Sequence, residues 1–148
     1  MKKILSGIFL FIAIETIAQS KPVRTGTGGD EIAIRRLLDE QTAAWNRGNI
    51  EDFMKGYWKN DSLMFIGKSG ITYGWNNTLN NYKKGYPDTT AMGKLSFNII
   101  AVKQFSFQYF HITGKWHLQR SIGDLSGYFT LLFKKVKDDW VIVADHSS

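Results

Sequence analysis

Apolar residues recur at helical spacing in the first part of this chain and at strand spacing in the second. Over residues 30–47, Ile34, Leu37, Leu38 and Trp45 fall every three or four positions, which lays them on one helix face. Asp30 and Glu31 at the start and Gly48 after the end mark its limits. One polar residue, Gln41, lies within that stripe. Asn49 reads as the cap of a short second helix with Ile50, Phe53, Met54 and Tyr57 on one side. Residues 62–66 and 71–73 bracket the turn Gly67-Lys68-Ser69-Gly70 and predict a hairpin. A third helix is predicted from Trp75 to about Lys84, with Leu79 and Tyr82 turned inward.

From residue 94 onward the pattern is that of strands, over 95–104, 107–119, 127–136 and 140–147. Three helices followed by a meander imply an α+β layer structure, with helices covering one face of a mostly antiparallel sheet. A sheet that curls around such helices without closing leaves a cavity. The last strand places Trp140, Ile142 and Ala144 on one face, and period-2 alternation then puts His146 and Ser148 on that same side. A titratable group is thereby expected to point into an interior.

The 148 residues fit one domain with a core, and 14% aromatic content is high. The N-terminus stands apart. Met1-Lys2-Lys3, an apolar run from Ile4 to Ile14 and small residues at Thr16 and Ala18 read as a signal peptide cut after Ala18. That run is well short of the ~20 residues of a spanning helix, so no stable membrane anchor is expected. Residues 19–29 are small and polar and read as a tether, leaving 30–148 as the domain. The chain has no cysteine, which excludes disulfides, thiol catalysis and thiolate metal sites. The net charge of +6 is scattered, and an exported protein without a basic stripe is not expected to bind nucleic acid.

Trp45-Asn46-Arg47-Gly48-Asn49-Ile50, then Tyr57-Trp58-Lys59-Asn60-Asp61-Ser62-Leu63-Met64-Phe65, then Gly70-Ile71-Thr72-Tyr73-Gly74, and finally Trp140 to Ser148 together resemble the nuclear-transport-factor-2-like (NTF2-like) superfamily. The SnoaL-like group with the domain of unknown function DUF4440 is the nearest match. The resemblance implies a cone-shaped domain with a strongly curved sheet, a pocket between helices and sheet, and a homodimer. It does not imply a reaction, because one fold hosts many functions. In an ungapped comparison with the steroid isomerases of the superfamily, the oxyanion-donating tyrosine falls on Gln41 and the aspartate base on Ile66. Ile66 cannot take a proton, so steroid-type isomerisation with that residue set is not expected.

The candidate chemistry therefore centres on His146, either as a general base or ligand donor or as a core histidine satisfied by a carbonyl or Ser148. Asp61 is its candidate partner, with a turn-forming role as the alternative. His111 and His117 share a strand face but lie ~20 Å apart, too far for one metal, and no metal or cofactor is expected. Trp45, Tyr57, Trp58, Trp116 and Phe129 are candidate lining residues, and Gln41, Asp61 and His146 the polar floor. The expected function is capture of a small hydrophobic molecule by an exported domain. An acid/base enzyme using His146 and a dimeric interaction module are the rivals. Export has a direct check: the intact mass of protein recovered from outside the inner membrane should correspond to a chain beginning at Gln19, and a mass retaining Met1 would refute cleavage.

Overall fold

The computed structural model describes residues 28–148, so the expected signal peptide and the tether up to residue 27 lie outside the described residues. Gly28 and Gly29, expected in the tether, instead open the first helix, α1 (Gly28–Asn46). Its acidic first turn suits the positive helix N-terminus, and Arg35–Glu31 and Arg36–Glu40 add i,i+4 pairs at 2.8 and 2.9 Å. Helix α2 (Ile50–Phe53) is capped as expected: the Asn49 side chain accepts from the Asp52 amide at 2.9 Å. A 3-10 turn, Met54–Gly56, follows. The hairpin is β1 (Met64–Gly67) with β2 (Gly70–Tyr73), and α3 spans Trp75–Gly85. A fourth, short helix was not foreseen. It is α4 (Thr89–Met92), whose cap Asp88 accepts from the Ala91 amide at 2.8 Å.

Strands β3 (Lys94–Ser106), β4 (Tyr109–Gln119), β5 (Leu125–Val136) and β6 (Asp139–Ser147) form the meander. Among the described residues the strands make one sheet in the order β2-β1-β6-β5-β4-β3. All pairings are antiparallel except β1 with β6, which puts β6 in the interior of the sheet. Ile34, Leu38 and Trp45 of α1 meet Phe110, Ile112 and Phe133 of the sheet in a continuous buried core. Burying each such side chain contributes roughly 1.5–3 kcal/mol.

Register shifts interrupt the ladders. Ile100 and Phe105 are extra residues in β3, and Val143 is extra in β6, because Leu132 faces Ala144 while the next residue, Phe133, faces Ile142. Each such bulge bends its strand and raises the local twist.

The start of α1 is bolted to the last hairpin by Asp30. Its Oδ1 accepts from Lys135 Nζ at 2.8 Å and from the Trp140 indole at 3.0 Å. The Lys135 hydrogen bond holds the carboxyl below its ordinary range. Replacing Asp30 leaves an indole N–H and an ammonium without their acceptor. Asp30→Ala is expected to lower the urea midpoint by about 1–3 kcal/mol of stability with an unchanged denaturant slope. An unchanged midpoint would show that the bolt contributes nothing.

Candidate functional site

Beyond the bulge at Val143 the inward phase of β6 moves by one residue. Asp145 and Ser147 face the helices, and Asp145 is only 3% exposed. Tyr57, just after the 3-10 turn, is held beside β6 by a bridge to Ile142, whose carbonyl accepts the Trp58 amide at 2.9 Å. The Tyr57 hydroxyl donates to Asp145 Oδ2 at 2.7 Å, and Ser147 Oγ donates to Oδ1 at 2.7 Å. Tyr82 of α3 brings its hydroxyl to 3.4 Å from that of Tyr57. Around these groups stand Trp45, Phe53, Phe65 and Tyr86, with ring centroids 4.8 to 6.3 Å apart in mostly edge-to-face contacts.

Burial raises the Asp145 pKa from 3.8 to about 6, with the Tyr57 and Ser147 hydrogen bonds and the adjacent His146 pulling the other way. Burial also pushes the Tyr57 and Tyr82 phenols well above 10, and the nearby carboxylate adds to it. Both phenols are therefore neutral at ordinary pH, and Tyr82, Tyr57 and Asp145 form a short hydrogen-bonded chain. Among the described residues no Lys, Arg or His nitrogen lies within 4.0 Å of the Asp145 oxygens. Ionised Asp145 is a buried charge held by hydroxyls alone.

The three members of the expected floor do not come together, and Gln41 lines the larger of two surface grooves instead. His146 is exposed on the outer sheet face, level with Ile66 of β1 and Thr130 of β5, because the extra residue Val143 reverses the alternation. Asp61 is exposed in the turn before β1, the alternative it was given. Gln41 is buried, but its amide donates to the Phe53 carbonyl at 2.9 Å and straps α1 to α2 at a corner where a Cβ on Gly56 would strike it. Of the expected lining residues, Trp45 and Tyr57 do belong to the Asp145 surroundings. Trp58 does not: its ring lies under Lys134 on the outer face, 5.8 Å from the ammonium, since neighbours in an extended segment point opposite ways. Phe129 is buried against Phe97 on the inner face, with ring centroids 5.2 Å apart. Trp116 is half-buried on that face, and its indole nitrogen is buried with no acceptor among the described residues. Ile66 faces outward and Phe65 inward, and β1, Met-Phe-Ile-Gly, carries no carboxylate at the isomerase base position. Asp145, Ser147 and Tyr82 were missed as polar centre, although Tyr82 was placed on the inner side of its helix.

Two grooves, of about 350 and 300 Å³, open on the helix side of the domain. The larger lies between α1 and α2, and its Arg47, Asp52 and Lys55 are tied in exposed ion pairs. Neither groove is lined by Asp145 or Tyr57. We place the candidate site at Asp145 because the buried charge is there, while exposed ion pairs contribute little and mark no function.

Among solved structures the chain is similar to an NTF-2 like protein of unknown function from Shewanella oneidensis MR-1, at 43% identity and a TM-score of 0.76 over 82% of this chain and 99% of that one. A cystatin-like domain of unknown function from Nostoc punctiforme PCC 73102 superposes at 18% identity and TM-score 0.69, covering 82% and 78% of the two chains. A ketosteroid isomerase-like protein from Erwinia carotovora atroseptica SCRI1043 does so at 15% and 0.61, covering 79% and 93%. Neither a protein-family model nor a curated protein matches the chain. The chain belongs to the NTF2-like superfamily.

The raised Asp145 pKa fixes the sign of a pH effect. The folded carboxyl holds its proton more tightly than the unfolded one, so its contribution favours folding at low pH and is lost as pH rises from about 4 through about 6. Wild type is expected to lose about 3 kcal/mol relative to Asp145→Asn across that interval, measured by urea unfolding. Parallel stability profiles for the two proteins would refute the shift.

Proposed function

We propose that this NTF2-like domain binds a small, largely apolar molecule between α3 and the inner sheet face, with Asp145, Tyr57 and Tyr82 as its polar end. The observation that carries this reading is a buried carboxylate without a cation among the described residues, set among aromatic rings. A buried charge held only by hydroxyls costs stability that a purely structural core does not need. Inward-facing aromatics at this end, Phe65, Tyr82, Tyr86, Phe97 and Trp116, are only partly covered, which suits an opening.

Export remains part of the proposal, as does the SnoaL-like placement. So does a homodimer through the outer sheet face, where Ile71, Tyr73 and Tyr128 are more than half exposed. The second reading is an acid/base enzyme, favoured by the Asp145 pKa of about 6. Asp145 would then be its proton acceptor in place of His146, with Tyr57 as donor. Its rate would rise as pH increases through about 6.

Thermal shift of the domain against steroid, polyketide-like, aromatic-acid, amine and fatty-acid panels tests the binding reading. A ligand at a hundred times its dissociation constant adds about 2.7 kcal/mol. The expected result is stabilisation of wild type and of His146→Ala but a weakened response in Asp145→Asn. A response lost in His146→Ala and kept in Asp145→Asn would return the site to the outer face and overturn this assignment.

A further inference from the structure

The chemistry of the Asp145 centre narrows the ligand class. Its carboxylate is buried, receives hydroxyl hydrogen bonds from Tyr57 and Ser147, and meets no nitrogen cation among the described residues. Phe65, opposite Asp145 in the β1–β6 ladder, packs on Tyr82, whose ring in turn contacts Trp45 and Tyr86. Electron-rich ring faces attract an ammonium group within about 6 Å, and more strongly where water is excluded. Two hydroxyl donors already occupy one lone pair on each carboxylate oxygen, and the remaining lone pairs need donors, not acceptors. An anionic ligand would meet a like charge in a desolvated site, and a neutral ketone would offer only another acceptor.

Tyr82 closes the cluster from α3. Its ring packs on Trp45, Phe53, Phe65 and Tyr86 at centroid distances of 5.3 to 6.3 Å, and its hydroxyl lies 3.4 Å from that of Tyr57. Neither 2.7 Å bond to Asp145 involves Tyr82, so a guest that displaced its ring would leave the Tyr57–Asp145–Ser147 arrangement intact.

We propose that the site takes an organic cation, a protonated amine on an apolar or aromatic body, with the ammonium against Asp145 and the body among the rings of α1 and α3. This rests on the binding reading above and adds the sign of the ligand's charge. The chain's own charge sharpens the test. At +6 the molecule as a whole attracts anions, so a preference for an amine has to arise locally.

The experiment is isothermal titration at pH 8 with 4-phenylbutylamine, 4-phenylbutanol and 4-phenylbutanoic acid, on wild type, Asp145→Asn and Tyr57→Phe. The expected result is that wild type binds the amine at least tenfold more tightly than the alcohol, and the acid most weakly. Asp145→Asn should reduce the amine preference to below twofold, while Tyr57→Phe, which keeps the carboxylate, should retain it. Equal or tighter binding of the alcohol or the acid by wild type overturns the cation assignment and leaves the binding reading standing. An amine preference that persists in Asp145→Asn overturns it as well, because the cation then binds elsewhere. Absence of binding for all three probes overturns both readings. Should Asp145→Asn fail to fold, the wild-type comparison and Tyr57→Phe still decide.

Discussion

Strand β6 carries one more residue than its partner β5 can pair with, and the orientation of the end of the chain depends on that mismatch. Val143 takes up the excess. Before it, Trp140 and Ile142 face the helices, and after it Asp145 and Ser147 do. Without the bulge, strict alternation would turn His146 inward and put Asp145 on the outer face. The same strand is flanked by β5 on one side and β1 on the other, so the extra residue has no free edge to slip toward. A local irregularity is thus held in place by the sheet and determines which titratable group enters the interior.

This explains what the sequence disclosed and what it hid. The α1 stripe was legible because its apolar positions are separated by charged ones, so the phase of the helix is unambiguous. The Asn49 cap and the Gly67–Gly70 turn were legible because each uses residue types suited to its backbone geometry. In β6, by contrast, every residue from Trp140 to Ala144 is apolar, as is common for a strand in the middle of a sheet, and such a run carries no phase. The bulge leaves no mark in it. Extrapolation from Trp140 therefore selected His146 when the interior residue is its neighbour. Helix α4 was hidden for another reason: a single turn has too few residues for periodicity to register, and only its Asp88 cap announces it.

Asp145 sits in an environment that works against its own charge. Aromatic rings exclude water from it, and its two hydroxyl partners stabilise the ion without neutralising it. Elsewhere in the molecule carboxylates are matched differently. Asp30 meets Lys135, Asp52 meets Arg47 and Lys55, and Asp124 meets His117 and the Arg120 amide. The contrast separates these structural acids, whose pKa values are lowered, from Asp145, whose pKa is raised. Local inconsistency of this kind, in a chain otherwise consistent at every level, is where function is to be sought.

The supports of the two tyrosines differ. Tyr57 is splinted to the same strand that carries Asp145, by the bridge at Ile142, so the phenol and the carboxylate keep their spacing whenever the sheet is intact. Tyr82 rides on α3, a helix with Thr78 as its buried residue and no side-chain cap at its N-terminus. On the proposed binding reading, the splinted pair would be the part that reads a guest without further ordering, and Tyr82, packed among Trp45, Phe53, Phe65 and Tyr86, the part a guest would have to displace. Substitutions along the exposed, polar surface of α3 would then alter residence time and leave the geometry that reads the guest as it is.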